Sequence, residues 1–234
     1  ITTGDNNTAV GFYSLDANTT GYKNVAIGGA SLTANTTGIE NTAVGYDALA
    51  SNTTGDYNTA IGMQALKDNT TADFNTAVGY NSLQDNTTGI RNTGLGSGTL
   101  MYNTTGSYNE AIGMNALNSN TTGSRNIAIG NGTLDAPDTE SDNLAIGYDA
   151  LGGSIAGGEY NVAIGNYSLD ALTSGDKNTG VGYNVLTGLT TGSWNTAVGH
   201  EAARAMTTGA DNTAIGLSSG AGITSGARNI AIGG

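Results

Sequence analysis

The sequence predicts an all-β fold: a parallel β-solenoid with about one 17-residue coil per repeat. Three observations predict it. The string Asn-Thr-Ala-Val/Ile-Gly returns every 17 residues, as at 41–45, 58–62 and 75–79. From Asn7 to Asn229 it occurs in 14 copies, and only the step from Asn143 to Asn161 is 18 residues. Seventeen residues are too few for a two-helix repeat, and abundant Gly, Asn and Thr oppose helix. Finally, the hydrophobic residues, 37% of the chain, recur at fixed positions, so a chain with only 11% charged residues can still build a core.

Numbered from its Asn, the consensus is N-T-A-(V/I)-G-Y-x-(A/S)-L-x-x-N-T-T-G-x-x. Position two is mostly Thr and shares a strand face with position four, as a half-buried or chain-contacting surface. Position three is always Ala or Gly, as suits a close approach of another backbone or chain. Position four is always aliphatic (Val10, Ile27, Val44, Ile61 and onward) and is expected to point inward. Position nine, Leu from Leu15 to Leu186, is expected inward as well. The odd spacing between four and nine needs a turn, which the Gly at position five supplies. A bulky residue at position six covers that corner or contacts another subunit. Position twelve is Asn from Asn18 to Asn120, and these amides should stack as a ladder. The corner Gly at position fifteen (Gly21, Gly38, Gly55) is expected to be the left-handed residue.

The whole chain, 1–234, reads as one array cut from a longer one, with irregular corners at 135–142 and 152–159. From the tenth copy onward position twelve becomes Leu172, Leu189, Met206 and Ile223, while position nine shrinks to Ala203 and Gly220. That exchange of volume implies an inward position twelve.

Position seventeen varies most. It holds five of the seven basic residues, the only Trp and one of the two Phe. Tyr57, Phe74, Arg91, Tyr108, Arg125, Tyr160, Lys177 and Trp194 should line up as a stripe. Phe74-Arg91-Tyr108-Arg125 and Tyr160-Lys177-Trp194 are expected to form cation–π ladders. Such a stripe either stiffens the array against a neighbouring chain or binds a host-surface glycan or protein.

A net charge of −12 disfavours nucleic acid and anionic membrane surfaces. With no Cys there is neither a disulfide nor a thiolate metal site. His200 is the only His and has no second metal-ligating or catalytic partner. The acidic residues Asp5, Asp56, Asp73 and Asp176 do not match the calcium-binding repeat. No catalytic, cofactor or metal site is expected, nor any membrane insertion in this segment.

The N-T-A-I-G and N-V-A-I-G strings resemble the repeat of YadA-like trimeric autotransporter heads. The longer form with A-L-x-x-N-T-T-G is similar to repeats of phage tail fibres and bacterial surface fibres. The resemblance covers nearly the whole chain, although the period here is longer than in the YadA-like head. It implies a left-handed β-roll, a homotrimer and an extracellular position on a cell or virion appendage. The expected function is a structural and adhesive fibre segment, not an enzyme. An ice-binding solenoid is the first alternative. A β-helical polysaccharide depolymerase is the second, with Asp138, Glu140, Asp142 and Glu159 as its only acidic cluster.

Overall fold

The computed structural model describes residues 4–136, 139–153 and 155–234; Pro137, Asp138 and Ser154 of the irregular corners lie outside the described residues. The chain forms two compact units, Ile1–Thr122 and Gly123–Gly234. Each is a parallel β-solenoid with no helix among its described residues. The first carries strands β1 (Thr8–Val10), β2 (Val25–Ile27), β3 (Thr42–Val44), β4 (Thr59–Ile61), β5 (Thr76–Val78), β6 (Thr93–Leu95) and β7 (Glu110–Ile112). The second carries β8 (Ile127–Ile129), β9 (Leu144–Ile146), β10 (Val162–Ile164), β11 (Thr179–Val181), β12 (Thr196–Val198), β13 (Thr213–Ile215) and β14 (Ile230–Ile232). Within each unit every strand pairs in parallel with the next, position for position, as in Thr42↔Thr59, Ala43↔Ala60 and Val44↔Ile61. The extra residue before Asn161 is absorbed outside the strands, since Val162, Ala163 and Ile164 still face Leu144, Ala145 and Ile146.

Pairing does not stop at the strands. Leu49 donates its N–H to the Ala65 carbonyl, Ser51 to Lys67 and Thr53 to Thr70, each one coil ahead. Position seventeen bonds in the other direction, as Tyr57 does to the Ile39 carbonyl. Because a backbone polar group removed from water must find a partner, this ladder around the coil lets so short a repeat bury its main chain.

The core is narrower than the sequence suggests. Leu at position nine is buried in every coil that has it, and Ala at position three is buried wherever it occurs from β2 to β13. Position four does not point inward: Ile61 is 41% exposed, and Ile27, Leu95, Ile112, Val198 and Ile215 are similarly open. Side chains alternate across a strand, so with position three inside, two and four must look out. The opposite wall decides this parity. A Cβ on Gly94, at position three, would lie 2.5 Å from Ser82 Oγ, 2.8 Å from Thr99 Oγ1 and 3.5 Å from Leu83 Cδ1. Positions eight and nine thus fill the interior; in this coil they leave no room even for a methyl group, and in the others position three is no larger than Ala or Gly.

Handedness is also placed differently. The corner Gly21, Gly38 and Gly55 do not have positive φ, and Ala72 occupies the same position without it. The left-handed residues are at positions seven, nine and seventeen, as in Asp47 (φ 57°), Leu49 (φ 51°) and Tyr57 (φ 58°). For bulky residues this conformation costs roughly 1–2 kcal/mol each, so packing and the ladder bonds must hold it. Gly at position five does turn the chain, with φ of 136° at Gly62, and a Cβ there would run into the Gly79 carbonyl.

Two adjacent residues test this arrangement in urea. Gly62→Ala should destabilise the chain by about 3 kcal/mol or more, from strain and clash together. Ile61→Ala should cost the unassociated chain less than about 1 kcal/mol; the loss of roughly 2–5 kcal/mol typical of a buried position would disprove its outward placement.

Candidate functional site

Two amide ladders hold the coils in register and thereby place every exposed side chain. At position twelve of the first unit, Asn35 Nδ2 donates to Asn18 Oδ1 at 3.0 Å, and the same bond recurs up to Asn120→Asn103 at 2.7 Å. Each of these amides in the interior coils also caps its own corner carbonyl, as Asn52 Nδ2 does Gly55 at 3.0 Å. The Asn of position one forms a second ladder that the sequence reading left without a role. Asn41 donates its N–H to Asn24 Oδ1 at 2.9 Å and its Nδ2 to the Gly55 carbonyl at 2.8 Å. Its presence in all 14 copies was the signal for such a role.

In the second unit the work shifts between the ladders. Position twelve turns apolar one coil earlier than expected: Ile155, in the ninth copy, is already buried, followed by Leu172, Leu189 and Met206. Side-chain-to-side-chain bonds now run through position one, from Asn161 Nδ2 to Asn143 Oδ1 at 3.2 Å through Asn229 to Asn212 at 2.9 Å. The last coil shows the expected exchange of volume, since a Cβ on Gly220 would lie 3.3 Å from Ile223 Cδ1. The Asn-Thr-Thr asparagines of the first unit are buried in these bonds, so they are closed to glycosylation in the folded chain.

Position seventeen lies outside this frame, and its left-handed backbone accompanies an exposed side chain in almost every coil. In the first unit Tyr57 and Phe74 stack with ring centroids 5.0 Å apart and planes 4° from parallel. Arg91 sits 5.5 Å from both the Phe74 and Tyr108 rings, and its Nη1 donates to the Tyr108 hydroxyl at 2.8 Å. In the second unit Lys177 lies 5.8 Å from the Tyr160 ring and 4.3 Å from that of Trp194, which is 58% exposed. Arg125 departs from the expected ladder. It grips Asp142 with two charge-assisted bonds, Nε to Oδ1 at 2.6 Å and Nη2 to Oδ2 at 2.7 Å. The guanidinium bond holds the Asp142 carboxyl below the usual carboxylate range. Other rungs of the stripe are ionic, as in Lys23–Glu40 at 2.9 Å.

The remaining residues singled out in the sequence resolve into structural roles. At position sixteen, Asp56 Oδ1 accepts the Ile39 N–H, Asp73 Oδ1 the Asp56 N–H and Asp176 Oδ1 the Glu159 N–H, all at 2.8–2.9 Å. His200 stacks on Tyr183 at 5.2 Å, beyond an edge-to-face run of Tyr148, Tyr167 and Tyr183. Of the acidic cluster, Glu140 and Asp142 have separate partners, and Asp138 lies outside the described residues. Glu140 is buried and accepts the Gly157 N–H at 2.8 Å, while Asp142 is bound to Arg125. Among the described residues no group of three or more His, Cys, Asp or Glu is placed to hold a metal ion.

Two of the concave places formed by described residues lie in the second unit. One, of about 430 Å³, lies at the irregular corners beside Glu140 and Ile155. The other, of about 460 Å³, is lined by Asn184, Thr187, Gly188, Glu201, Arg204, Ala205 and Ala221, none of which the sequence suggested as a site. Asp135, next to Ala136 of the first, and Asp170 have carboxyls pushed up, chiefly by burial and then by the charge of Asp149. No protein-family model matches the chain, and no curated protein matches it.

The raised carboxyls carry a pH dependence. A native pKa above the unfolded value of about 3.9 means that stability falls as pH rises through the native pKa. Asp170→Asn should therefore raise the thermal midpoint at pH 7, and the gain should vanish in acid below the unfolded pKa. A gain that persists unchanged in acid would assign the effect to something other than this charge.

Proposed function

We propose that this chain is a structural and adhesive fibre segment of an extracellular appendage, on a cell or a virion, built from self-associating copies. The observation that carries this is the outward face of the strands. Position four presents an aliphatic residue in every coil, beside Thr, Val, Ile or Leu at position two in all but one. The exception, Glu110, is also the only charged residue in any of the strands, although the chain carries a net charge of −12. A repeated apolar surface kept clear of charge suits burial against another copy, because apolar association gains free energy with the area covered. Elsewhere the acidic surface repels copies, so contact is confined to this face. A homotrimer of the kind that the YadA-like resemblance implies is one assembly that would use it.

The stripe at position seventeen supplies the attachment half of the reading. Exposed aromatic rings interleaved with Arg and Lys are the side chains that anchor interfaces. This support favours attachment over the ice-binding alternative. Thr hydroxyls at position thirteen are already spent on the next coil, as Thr36 Oγ1 is on the Thr53 carbonyl at 3.0 Å. The depolymerase alternative finds no support in the described carboxylates Glu140 and Asp142 of its acidic cluster, which are engaged separately.

Mass under native conditions tests the assembly. The chain should run as a multimer, and Ile61→Asp with Val78→Asp should give a folded monomer with unchanged circular dichroism. A wild-type chain that is monomeric at micromolar concentration would refute self-association. Attachment is read separately: on a panel of host-surface glycans, Trp194→Ala and Tyr160→Ala should weaken retention, and retention equal to wild type would eliminate the stripe as the binding surface.

A further inference from the structure

We infer that the groove of about 460 Å³ at the corner of the second unit is a binding site for a neutral sugar residue. Its volume falls within the roughly 300–1,000 Å³ of small-molecule sites. The backbone builds its floor. A Cβ on Gly188 would lie 2.9 Å from the Arg204 carbonyl and 3.2 Å from that of Met206, so nothing larger than Gly fits without a shift. Ala205 beside it is exposed and small. A floor built of backbone and small side chains lets a pyranose ring approach closely.

The polar lining suits its hydroxyls. Arg204 can only donate hydrogen bonds, the Glu201 carboxylate can only accept them, and the Asn184 amide does both. Arg204 Nη1 and Glu201 Oε2 are 3.5 Å apart, which makes an ion pair but is long for a hydrogen bond. Each therefore keeps bonding capacity for a ligand. A sugar hydroxyl donates and accepts at once, so adjacent hydroxyls match a site that offers both. The two charges offset one another, and the chain as a whole is acidic, so an anionic ligand would be repelled. Neutrality of the ligand follows from that balance.

This goes beyond the proposed function: the groove shares no residue with the stripe of Tyr160 and Trp194, and neither the stripe nor assembly, measured by mass, has to hold for it. The test titrates the purified chain with the methyl glycosides of glucose, galactose, mannose and N-acetylglucosamine, and with glucuronic acid, followed by saturation-transfer and chemical-shift NMR. At least one neutral glycoside should bind. Ala205→Phe, which fills the groove from an exposed position, should weaken it at least about tenfold, as should Arg204→Met, while Tyr102→Ala, at an exposed ring of the first unit, leaves it unchanged. Binding of glucuronic acid alone, or of no glycoside, would overturn the inference. So would binding that survives both groove variants, or that is lost in Trp194→Ala and kept in Ala205→Phe, which would place the sugar on the stripe.

Discussion

The buried asparagines of a coil find their partners in the coils next to it, and the bonds they make inside a single coil, such as Asn52 Nδ2 to the Gly55 carbonyl, do not replace those partners. Asn41 accepts from one neighbouring coil through Oδ1 and donates to the Gly55 corner through Nδ2, so its bonds exist only if its copies stand in register. Buried amides left unpaired cost about 1–3 kcal/mol each, which makes register the condition for having a core at all. The strands, only three residues long, could not impose that register by themselves.

The handover between ladders shows how firm the condition is. When position twelve turns apolar, its amide ladder disappears, and the side chains of position one take up the amide-to-amide bond. Hydrophobic packing by Leu172, Leu189 and Met206 replaces one polar network, while the other closes more tightly on itself. A buried network tolerates being exchanged whole far better than being left half satisfied. Two solutions to the same cross-section thus stand within one chain.

The same constraint leaves the exterior free, and that is where function has room. Position seventeen changes from ionic pair to aromatic stack to cation–π sandwich, yet its backbone keeps φ between 54° and 63° throughout. Strain there is borne by the frame, so side chains can vary without moving the coil. The strand face is the opposite case, since its aliphatic residues barely vary although they lie outside the core of the chain that carries them. Uniformity without burial in its own chain is what supports a partner that repeats in the same way. The groove beside Glu201 and Arg204 is a third outcome, at a corner where Gly188, Ala205 and Ala221 are small.

The sequence by itself determined the period, the parallel solenoid, the Leu ladder at position nine and the Asn ladder at position twelve. In a strict repeat each residue meets its own equivalent, so reading the consensus is also reading the contacts. Three things were decided only by the folded chain. Which face of the strand looks inward depended on the opposite wall, where Ser82 and Thr99, with Leu83 beside them, leave no room for a side chain at Gly94. The left-handed positions depended on closing the coil, which gave them to Leu49 and Tyr57 and not to the corner glycines. Arg125 found Asp142 because a bidentate carboxylate outweighs an aromatic face for a guanidinium at the surface. A period names the neighbour along the stack; only the closed cross-section says which side of the chain that neighbour shares with the core.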